Sequence, residues 1–182
     1  MNAISIPPTL EQRIARRGIP TLYKGVMMRS RTEARWAALF DAIEWAWGYE
    51  PYELAGYIPD FILRLATDRY LLCEVKSSSE EFEAAQKKID DSGYEHEALV
   101  VGHCLEDGRV IGRIREDDGL GWIWSEAEFF FCISCGRASV LAVEGSWRCR
   151  CCGAGNGNEH RGEFDVQAAF AAASNRVQWR PE

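Results

Sequence analysis

Two short cysteine knuckles, Cys132-Ile-Ser-Cys135-Gly136 and Cys149-Arg-Cys-Cys152-Gly153, constrain this chain more than any other feature. Each is a CxxC followed by glycine, and thirteen residues separate them. Thiolates at that spacing are the ligand set of a tetrahedral Zn²⁺ site in a small β-ribbon, so Cys132, Cys135, Cys149 and Cys152 are expected to converge. The glycines let the backbone turn tightly enough for its amides to point at sulfur. Four protein ligands close the coordination shell, which implies a structural zinc rather than a catalytic one. Cys151 is the spare thiol, because only Cys149 with Cys152 keeps the two-residue gap. His160 is a nearby alternative ligand and is expected on the surface.

The cysteine total argues the same way. It is odd, at seven, and five of the seven lie between Cys132 and Cys152. A secreted disulfide framework would spread an even set through a shorter chain. Cys73, inside Leu71-Leu72-Cys73-Glu74-Val75, is expected to be a small buried hydrophobe. No stretch approaches the roughly 20 apolar residues that cross a bilayer. The opening MNAISIPPTLEQRIARRG has no basic region followed by an apolar run. The expectation is a globular, intracellular protein with no membrane association, cytoplasmic in a bacterial or phage-infected cell.

A formal charge of −7 would disfavour nucleic acid if it were evenly spread, and it is not. Residues 10–36 carry seven bases against two acids, whereas 74–97 carry eight acids against three lysines. Local field, not total charge, decides whether a phosphate backbone can dock.

Apolar periodicity orders the rest. Pro7-Pro8 and Gly18-Ile-Pro20 punctuate a basic N-terminal segment with one short helix over 9–17. A helix from Ser30 to Trp47, ended by Gly48, carries Ala34, Trp36, Ala37, Leu39, Phe40 and Ile43 as a broad stripe. Strands are expected over 49–54, 56–65 and 70–75, with a turn at 66–69. There follow an acidic helix over 80–91, a doubly buried strand over 98–102 and two weaker strands over 110–114 and 121–124. The cysteine module, a Gly/Asn linker over 153–158 and a helix over 163–175 close the order. The expected divisions are a basic segment 1–22, a core 23–128, a zinc ribbon 129–158 and a C-terminal helix and tail 159–182.

The chemistry lies in Ile58-Pro59-Asp60-Phe61 and Leu72-Cys73-Glu74-Val75-Lys76. Glu74 and Lys76 are two apart on a strand, so they share a face, while Cys73 and Val75 point into the core. Charged groups in such an apolar strand need a partner or a metal. If the strands form a hairpin, Asp60 comes level with Glu74 to Lys76. It joins their face only if the connection is odd in length or carries a bulge, because a one-residue slip swaps faces. Two converging carboxylates suit a hard cation such as Mg²⁺ or Mn²⁺, which polarises a phosphate and activates a bound water. Lys76 would assist by positioning that water or stabilising developing charge.

These residues resemble the PD-(D/E)xK nuclease superfamily: Pro59-Asp60 matches the PD, and Glu74-Val75-Lys76 matches the (D/E)xK. The resemblance implies an α/β (α+β) fold with a restriction-endonuclease-like core, helix, three-strand meander, helix, strand, over about residues 23–102. To this the four-Cys ribbon and a C-terminal helix are appended. It also implies an acid on the first helix, and Glu33 in Arg29-Ser-Arg-Thr-Glu33-Ala-Arg-Trp36 holds the matching position. Ser30-Arg31-Thr32-Glu33 is also a capping box, in which Glu33 would fold back onto the backbone amide of Ser30, but Glu33 falls on the stripe of Trp36, Phe40, Ile43 and Trp47, which favours the metal-site role. Glu50 is a further acid near the first strand. Gln86 matches an assisting glutamine of some exonuclease branches, except that their tyrosine four residues on is Asp90 here. Iron–sulfur clusters occur in the superfamily with one ligand far upstream, whereas these four cysteines are local.

The reading is a Mg²⁺-dependent DNA endonuclease with Glu33, Asp60, Glu74 and Lys76 at its centre. Lys24, Arg29, Arg31 and Arg35 are its candidate phosphate contacts. The lack of a helicase or target-recognition domain suggests structure-directed cutting of junction or branched DNA, as in small phage nucleases. DNA is expected rather than RNA, and a homodimer suits double-strand cutting. The alternatives are a non-catalytic DNA-binding protein that keeps the fold, or a phage factor that binds a host protein through the ribbon.

Overall fold

The computed structural model describes residues 18–66, 68–102, 110–155 and 157–177. The expected helix over 9–17, with Arg13, Arg16 and Arg17, and also Thr67, Cys104 and Trp179, lie outside the described residues. The chain runs β1 (Thr21–Tyr23), β2 (Val26–Met28), α1 (Arg31–Ala42), β3 (Ala46–Tyr49), β4 (Phe61–Ala66) and β5 (Arg69–Val75). A 3-10 turn at Ser79–Glu81 leads into α2 (Phe82–Asp91), followed by β6 (Ala98–Val101), β7 (Val110–Asp117) and β8 (Trp122–Cys132). Then come β9 (Arg137–Ala142), β10 (Arg161–Gly162) and α3 (Val166–Arg176). The fold is mixed α+β: a curled sheet ordered β10-β8-β7-β6-β5-β4-β3, with β9 also on β8, and a separate β1–β2 ribbon. Every pairing in the sheet is antiparallel except β5 with β6, which the α2 crossover makes possible.

Alternation along the strands divides the core between the two faces of the sheet. Phe61, Leu63, Leu65, Leu71, Cys73 and Val75 pack with Trp36, Phe40 and Leu39 of α1. On the other face Leu72, Ala98 and Val100 meet Ala85 and Ile89 of α2. Helix α3 lies on α1, with the Phe170 and Trp36 rings 5.1 Å apart. Both deeply buried indoles find acceptors: Trp36 Nε1 donates to the Gly102 carbonyl at 3.2 Å and Trp45 Nε1 to that of Ala138 at 3.1 Å. In β7, a Cβ on Gly112 would stand 1.8 Å from the Val100 carbonyl oxygen, so only glycine allows the close approach to β6.

Helix α1 starts as expected, with Ser30 Oγ accepting from the Glu33 amide at 3.1 Å. It ends five residues earlier than the apolar stripe suggests. Ile43 is the cap, Glu44 takes a left-handed φ of 60°, and Trp45 N–H returns to the Phe40 carbonyl at 2.8 Å. That is a Schellman turn with glutamate where glycine is usual. The Phe40 and Trp45 rings, stacked 6.1 Å apart, supply its hydrophobic contact. Trp47 and Gly48, expected in and just after the helix, belong to β3 instead. The strand expected over 49–54 is not formed beyond Tyr49: β3 lies upstream of it, and 50–60 is a loop with an isolated Leu54–Tyr57 bridge, while the strand expected over 56–65 starts only at Phe61 as β4.

Strand β8 corrects a second expectation. It is eleven residues long rather than a weak strand over 121–124. It pairs with β7 over Trp122–Glu128, with β9 over Ala127–Cys132, and with β10 at its end. The 128/129 division therefore falls inside one continuous strand, because the first knuckle grows directly out of the main sheet.

Arg150 makes that continuity electrostatic. The sequence leaves open whether the ribbon arginines grip DNA or stabilise the domain, and Arg150 is buried. Its guanidinium reaches Glu116 at 2.7 Å, Glu97 at 2.9 Å and the Val140 carbonyl at 2.7 Å. Arg137 likewise donates inward to the Leu65 carbonyl at 2.8 Å. Breaking one side of a buried ion pair strands the other charge. Arg150→Met is therefore expected to cost about 3–5 kcal/mol, read as a lowered urea midpoint. An unchanged midpoint would show that the cluster contributes nothing to the fold.

Candidate functional site

The hairpin register decides where Asp60 goes. Strands β4 and β5 pair Phe61 with Cys73, Ile62 with Leu72, Leu63 with Leu71 and Arg64 with Tyr70. Beyond Arg64 the register shifts, and Ala66 pairs with Arg69. Extended one step past Phe61, this ladder sets Asp60 opposite Glu74. Without the bulge at Leu65 the partner would be Val75, and Asp60 would face the other side of the sheet. The local hydrogen bonds agree: the Asp60 amide donates to Glu74 Oε2 at 3.3 Å, and the Val75 amide donates to Asp60 Oδ2 at 2.8 Å.

Both carboxylates are buried, Asp60 at 2% and Glu74 at 4% exposure, and each meets a cation. Lys76 Nζ pairs with Glu74 Oε1, and Arg29 Nη2 pairs with Asp60 Oδ1. Arg29 also holds Glu50 through Nε at 3.0 Å. Glu50 sits at φ 44°, a left-handed conformation that is strained for a side-chain-bearing residue. Two tyrosines that residue spacing did not single out complete the network. Tyr57 OH donates to Glu74 Oε2 at 2.6 Å, and Tyr49 OH donates to Glu33 Oε2 at 2.6 Å. Tyr57 is carried by the turn through Ala55 and Gly56, both at positive φ. The sequence hint would have been that this tyrosine lies three residues before Asp60.

Glu33 folds back over the helix start, but the amide it meets is that of Arg29 and not that of Ser30 as the capping box implies. Ser30 Oγ donates to its Oε1 at 2.8 Å, and the Arg29 amide donates to its Oε2 at 3.0 Å. Among the described residues, Glu33, Asp60 and Glu74 do not gather their oxygens into one three-acid cluster; the four cysteines alone do so with their sulfurs. Of the candidate phosphate contacts, Lys24 pairs with Asp41 at 2.9 Å, and Arg29 covers Asp60. Arg31 is half-buried at the start of α1. Arg35 is half-buried, and its buried Nε has no hydrogen-bond partner among the described residues. Gln86 is half-buried on α2.

Crowding shifts the acid–base chemistry. The Asp60 carboxyl is raised to about 7, first by burial and then by the charge of Glu74, with Glu33 adding and the Val75 amide and Lys76 opposing. A carboxyl that holds its proton more tightly folded than unfolded adds stability at low pH and loses it as pH rises. The window runs from the ordinary carboxylate value of about 4 to about 7. Zinc-loaded protein in magnesium-free buffer is therefore expected to lose on the order of 3 kcal/mol across that window. Asp60→Asn, which keeps the acceptor for the Val75 amide, should flatten the loss. Parallel urea-midpoint profiles for the two proteins would reject this account.

The cysteines form a compact group. All four Sγ atoms lie within 4.8 Å of one another. Cys132–Cys152 and Cys135–Cys149 are each 3.8 Å apart. A ZnS₄ tetrahedron with Zn–S bonds of about 2.3 Å has edges of about 3.8 Å, so the cluster fits a metal such as zinc. Burial pushes the Cys149 thiol up, but hydrogen bonds from the Cys152 and Cys151 amides and the Cys132 and Ser139 side chains together bring it down to about 7. Cys151 is outside the group: its sulfur donates to the Ala138 carbonyl at 3.3 Å, and burial holds its thiol up at about 11. His160 contacts Ser134 at 3.0 Å and is not part of the cluster.

Comparison with protein-family models, curated proteins and solved structures finds no match for the chain. Among the described residues, no helix is long and apolar enough to cross a membrane. The functional reading therefore rests on the residues themselves.

Proposed function

We propose that this chain is a divalent-cation-dependent nuclease of the PD-(D/E)xK superfamily, with a restriction-endonuclease-like core, that hydrolyses phosphodiester bonds in DNA. One observation carries the reading: Asp60 and Glu74 stand opposite each other at the end of a hairpin, buried, with Lys76 on the same face. The order α1, β3-β4-β5, α2, β6 supports it, since the resemblance implies the same order. Burying two neighbouring carboxylates is costly unless something positive repays it, and their all-oxygen donor set suits Mg²⁺ or Mn²⁺ rather than a soft metal.

In this reading Asp60 and Glu74 hold the cation, and Glu33 adds negative potential from the helix start. When bound, the cation polarises the phosphate and lowers the pKa of an attacking water. Glu74 orients Lys76 by pairing with it, and Tyr57 fixes the rotamer of Glu74 from the other side. The Lys76 ammonium then lies where it can position water or steady charge on the phosphate oxygens. Arg29, at the rim, supplies a fork-shaped donor for phosphate.

The test is incubation with linear, supercoiled, single-stranded and four-way-junction DNA in Mg²⁺ or Mn²⁺, then with EDTA. Divalent-dependent cleavage of at least one substrate is expected, and none on any of them removes the enzymatic reading. A second reading, a DNA-binding protein that keeps the fold without catalysis, is favoured by one feature: each acid already has a protein donor. It predicts DNA retention without turnover in the same assay.

A further inference from the structure

We propose that Arg29 is a displaceable latch: it neutralises Asp60 when no divalent cation is bound and, once released, becomes the clamp on the DNA phosphate. Cation binding and DNA binding would then be coupled through one guanidinium. This inference rests on the nuclease reading above and adds how that site is regulated.

The two cations of the site are held differently. Lys76, one residue past the end of β5, is a half-buried neighbour of Glu74, its side chain 19% exposed. Arg29 reaches in from the surface: its side chain is 58% exposed, while that of Asp60 is 3% exposed. Asp60 is fixed by its strand, and its Oδ2 already accepts from the Val75 amide at 2.8 Å. Oδ1 is the oxygen that Arg29 covers. A cation that uses Asp60 must compete for that oxygen, and like charges at contact distance repel strongly in a partly desolvated site. The mobile partner is the one that yields.

Arg29 cannot go far. Its amide is tied to Glu33 Oε2 at 3.0 Å and to Tyr49 OH at 2.9 Å, so the backbone at the base of the side chain is anchored. Its remaining ionic hold is Glu50, at 3.0 Å with both side chains more than a third exposed. A pair that exposed is weak. The released guanidinium therefore stays at the mouth of the site, where a phosphate meeting the cation would lie. Such a fork binds phosphate oxygens in bidentate fashion. Linkage is reciprocal, so a cation that frees Arg29 must tighten DNA, and DNA must tighten the cation.

The experiment uses zinc-loaded full-length protein. Mn²⁺ binding is followed by electron paramagnetic resonance, and binding of a fluorescent DNA duplex is followed by anisotropy, with and without Ca²⁺. For the wild type, Ca²⁺ is expected to tighten DNA about tenfold. Arg29→Ala should bind Mn²⁺ about fivefold more tightly, because nothing must be displaced, and Ca²⁺ should tighten its DNA binding less than that of the wild type, because only the direct cation–phosphate contact remains. Arg29→Gln, which keeps a neutral donor on Asp60, serves as the folding control and should behave in the same direction. Equal Mn²⁺ affinity in wild type and both Arg29 variants overturns the latch, as does an undiminished Ca²⁺ response in them. Failure of the wild type to bind Mn²⁺ at all, or binding that survives Asp60→Asn with Glu74→Gln, overturns the underlying metal site as well.

Discussion

Replacing Cys132 by serine, or stripping the metal with a chelator, is expected to cost the protein most of its stability. Structural zinc contributes on the order of 10–16 kcal/mol in small zinc-finger peptides. Here part of that is shared with the sheet, and a loss of about 5 kcal/mol or more is expected. The physical reason is location. Cys132 is the last residue of β8 and fully buried, and Cys149 is buried beside it. Both belong to the same core cluster as Trp36, Phe40 and Phe130. Without a metal, four sulfurs confined within 4.8 Å must either share protons or repel. Arg150 would feel the change at once, since it lies between Cys149 and Cys151 and anchors Glu116 of β7. The checks are metal content and thermal unfolding: one zinc per chain in the wild type, none in Cys132→Ser, and a lower midpoint. Serine at 132 with unchanged metal content and midpoint would falsify the structural role.

The second large effect concerns the carboxylate pair. Glu74→Gln is expected to lower divalent-dependent DNA cleavage by about a thousandfold or more, and Lys76→Ala by about a hundredfold. Glutamine is the informative choice at 74 because it retains an acceptor for Tyr57. Alanine would leave both Tyr57 and Lys76 without their partner, at about 1–3 kcal/mol for the stranded group. Circular dichroism and zinc content should therefore match the wild type in Glu74→Gln while cleavage collapses. Retention of cleavage within a few-fold of wild type would remove Glu74 from the chemistry. It would leave the Glu74–Lys76 pair as a structural contact.

How legible was all this? The cysteine knuckles were, because ligand spacing is a local property: two residues between thiols and a glycine after them determine the loop whatever surrounds it. The Ser30 cap was readable for the same reason. The end of α1 was not. A left-handed glutamate at position 44 has no local signature, and what makes it tolerable is Trp45 stacking on Phe40 inside a core assembled from distant strands. The length of β8 was missed because its partners, β7, β9 and β10, come from both sides of it in the chain. Whether Arg150 grips DNA or stabilises the domain was left open by the sequence. Its burial depends on Glu97 and Glu116, far upstream.

The site divides along the same line. Residue order alone determined that Glu74 and Lys76 share a strand face, that Cys73 and Val75 turn inward, and that Asp60 could join them only through a register shift. These follow from the two-residue period of an extended chain. Whether the shift occurs, and which donors the acids then meet, only the tertiary structure decided. It placed a bulge at Leu65, brought Arg29 across from before α1 onto Asp60, and swung Tyr57 onto Glu74. Contacts of that kind depend on how distant segments pack against one another in three dimensions, and spacing along a chain carries no record of it.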